Sequence, residues 1–122
     1  MTKETYVSYD VAQLLKENCF NGEAPAYFNS NGLRVLAVCG ELHPLPCPTQ
    51  QTAVAFLREE RDLNIIPVVR YKSVFGGENP FKEYSYRIYD VDGKIVKSAN
   101  EWYGFYSTAI NAALKFALTN LI

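Results

Sequence analysis

The sequence predicts an α+β domain, with three helices mostly on one face of a mainly antiparallel sheet of about five strands. Three segments carry apolar residues at helical spacing, at about residues 8–20, 49–61 and 107–121. The segments between them are short. Their residues either alternate between apolar and polar or are apolar throughout, which is typical of strands. Because short turns separate consecutive strands, neighbours should pair antiparallel, in the chain order α-β-β-α-β-β-β-α.

Length and composition indicate one soluble domain over residues 1–122. Hydrophobic residues make up 48% and charged residues 20%, and the net charge of −1 gives no electrostatic case for a bulk nucleic-acid or membrane binder. No apolar run reaches the ~18 residues of a membrane helix, and residues 2–5 are polar, unlike a signal peptide. Three cysteines cannot form a complete disulfide framework. We therefore expect a cytoplasmic protein with reduced thiols.

The first half should contain a helix and a hairpin. Ser8 is a good N-cap for a helix that Asn21-Gly22 would end. Strands at residues 26–28 and 33–39 flank the turn signal Asn31-Gly32. The second strand is apolar on both faces apart from Arg34, which predicts a central position.

Residues 43–61 form the hinge between the hairpin and the second half. Prolines at every second position (Pro44, Pro46 and Pro48) predict a stiff, extended connector and not sheet interior. Thr49 can then cap a helix that runs to about Arg61.

The second half should be a three-stranded meander followed by a helix. The strand over residues 63–72 contains Pro67, which predicts an edge position or a bulge. A loop over residues 73–80 leads to an alternating strand at 82–89, and a turn at 90–93 leads to a return strand at 94–97. Ser107 is the expected cap of the last helix, whose apolar stripe comprises Ile110, Leu114, Ala117, Leu118 and Leu121.

Aromatic residues are unusually frequent, with nine Tyr, seven Phe and one Trp. A β-rich core accounts for most of them. Five lie in or beside predicted loops, where turns do not require them: Phe75, Phe81, Trp102, Tyr103 and Phe105. Our leading hypothesis is therefore a non-enzymatic module that binds another protein, or a second copy of itself, through these side chains.

Basic and aromatic residues also alternate along the meander, which is typical of single-strand nucleic-acid binders. The basic candidates are Arg70, Lys72, Lys82 and Arg87. Glu78 and Glu83 dilute this charge, and Tyr84 and Tyr86 fit the core. A small single-stranded nucleic-acid binder is the alternative hypothesis.

The remaining chemical candidates are three cysteines and the single histidine. Cys39, His43 and Cys47 have the spacing Cys-x3-His-x3-Cys, and Cys19 would complete a Cys3His zinc site. The competing interpretation makes the cysteines small buried hydrophobic residues. Cys47 beside a helix start could instead be a nucleophile of lowered pKa with His43 as base, but no third group orients the pair. We assign no catalytic residue, metal or cofactor.

Three parts of the chain carry a family resemblance. They are Tyr6-Val7-Ser8-Tyr9-Asp10-Val11-Ala12-Gln13-Leu14-Leu15-Lys16, the pair Pro48-Thr49-Gln50-Gln51 and Phe56-Leu57-Arg58-Glu59-Glu60, and the end Ala112-Ala113-Leu114-Lys115 with Asn120-Leu121-Ile122. Together they resemble a family of short uncharacterised proteins carried by gut anaerobic bacteria, their prophages and mobile elements. The resemblance spans nearly the whole chain. It implies a bacterial or phage-derived intracellular accessory protein, and it transfers no residue role.

Overall fold

The computed structural model describes residues 5–20, 26–28, 34–36, 45–72 and 81–121. These residues form an α+β fold with three helices, as predicted. In chain order the elements are α1 (Tyr9–Glu17), β1 (Ala26–Phe28), β2 (Arg34–Leu36), β3 (Leu45–Cys47), α2 (Gln50–Glu60), β4 (Asn64–Lys72), β5 (Phe81–Tyr89), β6 (Ile95–Ser98) and α3 (Tyr106–Asn120). None of these helices has the length and apolar character that crossing a bilayer requires.

The strands form two sheets where one of about five strands was expected. Within the described ranges, β2-β1-β3 is one antiparallel sheet and β4-β5-β6 is another. The additional strand is β3, which lies inside the proline run and places Pro46 opposite Tyr27 of β1. Because β3 pairs on one side only, the missing N–H of Pro46 is tolerated there. The predicted chain order therefore gains a strand before α2.

The hairpin also differs from the expectation of a central second strand. The middle strand of its sheet is β1, and β2 pairs only with β1 among the residues that the structure describes. Residues 37–40, the Asn31-Gly32 turn and the Asn21-Gly22 stop lie outside them. Helix α1 ends earlier than predicted, at Glu17, and Cys19 takes a positive φ of 68°.

The meander follows the prediction closely. Among the described strands, β4 lies at the edge of its sheet, with Pro67 opposite Tyr86, as the proline indicated. On β5, Tyr86 and Ile88 are buried on the face that α3 covers. The bulge between Ile88 and Tyr89 shifts the register of β6.

Helix α3 is the centre of the core, because it contacts α1, α2, β4 and β5. Its predicted apolar stripe is buried at Ile110, Leu114, Ala117 and Leu118, and Leu121 packs against the core while partly exposed. The predicted Ser107 cap is wrong. The helix begins at Tyr106, after Phe105, whose side chain makes no capping hydrogen bond.

The segment before α1 links the starts of α1 and α2 to each other and to α3. The Gln50 N–H donates to the Thr5 carbonyl at 2.7 Å, and the Val7 N–H donates to the Pro48 carbonyl at 3.1 Å. The Ser8 N–H donates to Asn111 Oδ1 of α3 at 3.1 Å. These bonds fix where α1 and α2 begin relative to α3.

The Thr49 cap of α2 gives a stability prediction. Its hydroxyl accepts the Thr52 N–H at 3.3 Å, as the sequence indicated. Thr49→Ala leaves that donor without its partner and should lower the free energy of unfolding by about 1 kcal/mol. Urea denaturation measures the change. Gln51→Ala, at an exposed position in the same helical turn, is the control, and equal midpoints for the two variants would contradict the capping role.

Candidate protein-binding surface

One end of the β4–β5 pair extends beyond the helix that covers it. Ile65 and Val69 lie on the same face of β4, since strand residues alternate between faces. Ile65 is 3% exposed, but Val69 is 45% exposed and Tyr71 is 66% exposed. Helix α3 begins beside this end, where the Tyr106 ring meets the Tyr84 ring edge-to-face at 5.9 Å. The face is therefore buried near Ile65 and open near Tyr71.

The open end carries several exposed apolar and aromatic side chains. Phe105 is 73% exposed and Tyr106 is 49% exposed, at the start of α3. The Lys82 ammonium lies 5.7 Å from the centre of the Tyr71 ring. We call this set the aromatic end; it comprises Val69, Tyr71, Tyr84, Phe105 and Tyr106.

The opposite face of the same strands is held by a different group of contacts. The Arg70 guanidinium lies 4.1 Å from the centre of the Trp102 ring and 3.3 Å from Glu83 Oε1. Ser85 is buried here and donates its hydroxyl to the Glu101 carbonyl at 2.9 Å. Trp102 is consequently half-buried over this outer face.

Tyr103 joins the connector before α3 to the sheet. Its backbone exchanges hydrogen bonds of 2.7 and 2.8 Å with Tyr84, and its hydroxyl donates to Glu101 Oε2 at 3.0 Å. Burial, together with the hydrogen bond and negative charge of Glu101, raises the pKa of the Tyr103 hydroxyl to about 12. Tyr103 is therefore neutral and held in place by hydrogen bonds beside the aromatic end.

The structure places four of the five predicted binding residues in different surroundings. Phe105 and Phe81 are exposed, with Phe81 at 45%, whereas Trp102 and Tyr103 are half-buried by the contacts above. Phe75 lies outside the described residues. Sequence reasoning missed Tyr71, Tyr106 and Val69. The sequence signal that points to them is the difference in length between the elements. Strands of nine residues span about 30 Å, whereas a helix of 15 residues spans about 22 Å and leaves one end of the strands uncovered.

The basic residues of the nucleic-acid hypothesis do not share one face. In the strand register Arg70 pairs with Glu83, and Arg87 pairs with Ile66. These positions alternate with the helix-facing ones, so Arg70 and Arg87 lie on the outer face. Lys82 opposes Tyr71 and lies on the helix side. The side chain of Lys72 is outside the described part. The sheet thus divides the cations that a single-strand track would need together.

Cys47 shows no sign of nucleophilic activation. Cys47 is fully buried in β3, and its Sγ lies 3.5 Å from the Val7 carbonyl oxygen. Burial raises the pKa of the Cys47 thiol to about 11, although the Arg34 charge opposes this. The nucleophile alternative required a lowered pKa, and the structure gives the opposite shift because desolvation outweighs the charge of Arg34.

The zinc hypothesis stays a prediction from the sequence, because the structure describes only two of its four candidate ligands. Cys19 is exposed and carries a free thiol. Cys39 and His43 lie outside the described residues. Within the described ranges, no group of three or more His, Cys, Asp or Glu side chains could hold a metal ion.

Comparison with known proteins adds no further constraint. No family model matches the chain, and it matches neither a curated protein nor a solved structure. The resemblance to proteins of gut anaerobes and their mobile elements therefore stays a prediction from the sequence.

The burial of Cys47 gives a reactivity prediction. At pH 8 its thiol should remain protonated and inaccessible, whereas exposed Cys19 should react with iodoacetamide. Peptide mapping by mass spectrometry after alkylation of the folded protein measures both sites. Alkylation in urea is the control, in which Cys47 should react as well. Labelling of Cys47 in the folded protein at the rate of Cys19 would contradict its placement.

Proposed function

We propose that the protein is a non-enzymatic protein-binding module that makes its contact through the aromatic end. The observation that carries this proposal is the exposure of Tyr71, near the end of β4, and of Phe105 and Tyr106, at the start of α3 beside that end. Aromatic residues are enriched in protein interfaces, where they supply large apolar contact areas. Monomeric soluble proteins rarely expose large apolar patches, and such patches mark interaction sites.

The surface is also preorganised for contact. Tyr106 is packed against Tyr84, and Lys82 lies over Tyr71. Both pairs sit on a hydrogen-bonded sheet or at the start of a helix, so little side-chain freedom is lost on binding. Affinity benefits when this ordering cost has already been met in the free protein.

The proposed setting comes from the family resemblance and not from the surface. On that basis we place the module inside a bacterial cell as an accessory protein of a phage or mobile element. A partner protein encoded beside it, or a second copy of the chain, fits this setting.

Single-stranded nucleic acid is the second candidate, and the outer face is what favours it. There Arg70 stacks on Trp102 and shares a face with Phe81 and Arg87, a mixture that can stack bases and contact phosphates. However, Glu83 pairs with Arg70 at 3.3 Å and reduces the positive charge. The aromatic end therefore supports protein binding better.

A paired-variant capture experiment tests the proposal. The double variant Tyr71→Ser with Phe105→Ser removes two anchors, and Ser at position 105 can cap α3, so the fold should persist. Quantitative mass spectrometry of proteins captured from a lysate of the encoding organism should show a partner reduced at least about tenfold relative to wild type. The partner is then purified and its affinity for both proteins is measured.

The matched control is Val91→Ser, because Val91 is also 73% exposed but lies in the β5–β6 turn. It should capture the partner as wild type does. Equal capture by the double variant would contradict the proposal. Capture that disappears with nuclease, together with salt-sensitive binding of a single-stranded oligonucleotide, would favour the second candidate.

A further inference from the structure

The register of β4 and β5 shows which backbone groups point away from the sheet. Tyr84 bonds through its backbone to Tyr103, and the Tyr86 carbonyl accepts the Ala99 N–H at 3.1 Å. Both residues of β5 thus direct their backbone groups away from β4. In an antiparallel ladder, the residues opposite such positions also direct theirs away from the shared side. Those residues are Val69, opposite Tyr84, and Pro67, opposite Tyr86.

Among the strands that the structure describes, only β5 pairs with β4, so the outer edge of β4 has no strand partner there. Pro67, Val69 and Tyr71 present their backbone to it, and Pro67 has no N–H to offer. In the described part of the chain, the N–H groups of Val69 and Tyr71 donate no backbone hydrogen bond. Pro67, Val69 and Tyr71 are also all exposed. Among the described residues, these two donors and their carbonyls therefore have no backbone partner beyond the proline.

We propose that an extended segment of a partner protein adds to this edge as a further strand, paired with Val69 to Lys72. The inference rests on the proposed function and specifies the form of the partner that the module binds. Strand addition obtains affinity from main-chain hydrogen bonds and specificity from alternate side chains. The added strand would lie beside the aromatic end, so both features serve one interface.

The side chains on the two faces define the chemistry of that segment. On the helix side, Val69 and Tyr71 favour apolar residues at alternate positions. On the outer face, Arg70 keeps 43% of its side chain exposed and contacts Glu83 through Nη2. A guanidinium has five donors, so Arg70 can also bind a carboxylate of the incoming strand. The segment should alternate apolar and acidic residues.

The same charge argues against a second copy as the added strand. When two β4 edges pair antiparallel at this half, Arg70 of one copy lies opposite or diagonal to Arg70 of the other. Like charges placed so across strands are destabilising. An acidic segment of a different protein fits the edge better.

A synthetic peptide tests strand addition on the full chain. The probe is a capped seven-residue peptide that alternates Val or Thr with Glu. Amide hydrogen exchange followed by NMR should show the Val69 and Tyr71 N–H groups slowing at least about tenfold at saturating peptide. A matched peptide, N-methylated on its pairing edge, should give no protection. Binding without protection of these two amides, or no binding at millimolar peptide, would overturn the inference.

A backbone variant separates the edge from the side chains. Val69→Pro removes an outward donor at a position that does not bond to β5, as Pro67 already does two residues earlier. It should weaken the peptide at least about tenfold more than Val69→Thr does, because Val69→Thr also changes the side chain but keeps the N–H. Undiminished binding by a folded Val69→Pro variant would overturn the inference. If that variant misfolds, the N-methylated peptide alone decides.

The outcomes also separate this inference from the proposed function. A natural partner that is lost with the Tyr71→Ser and Phe105→Ser variant, but retained by Val69→Pro, would refute strand addition and leave the aromatic end as the binding surface. A partner that both variants retain would refute the proposed function itself.

Discussion

The mismatch in length between α3 and the strands beneath it determines the surface of this protein. A helix of 15 residues spans about 22 Å, and strands of nine residues span about 30 Å. Helix α3 therefore buries Ile88 and Tyr86 but leaves Val69 and Tyr71 uncovered. Among the described residues, the same end of β4 has no partner at its outer edge, so apolar side chains and backbone groups without a described partner occur together.

Local sequence patterns predicted the elements better than their arrangement. Ser8 and Thr49 cap their helices as expected, because a cap depends on the next three residues alone. The count of sheets was not predictable in this way. Strand β3 is three residues long and contains Pro46, and only its pairing with β1 makes it a strand. Helix α3 likewise begins at Tyr106 without a side-chain cap, and the Tyr106 ring packs on Tyr84.

The binding surface was predictable in part for the same reason. Phe105 stood out because turns do not require an aromatic residue, and it is exposed. Trp102 is covered by Arg70, a contact that depends on where residues 99–103 run along β5. The sequence marks Tyr71 only as a strand residue, because its exposure depends on how far α3 extends over β4. Proximity of Cys47 to a helix start suggested a reactive thiol, but its burial reverses the shift of its pKa.

Amide exchange of the free, full-length protein is the most direct test that this end of β4 is open. We predict alternation along one strand, in which the N–H groups of Val69 and Tyr71 exchange at nearly unprotected rates. Those of Val68 and Arg70, which lie opposite Ser85 and Glu83 in the ladder, should be slowed roughly a hundredfold or more. Protection of Val69 and Tyr71 equal to that of Val68 and Arg70 would contradict a free edge.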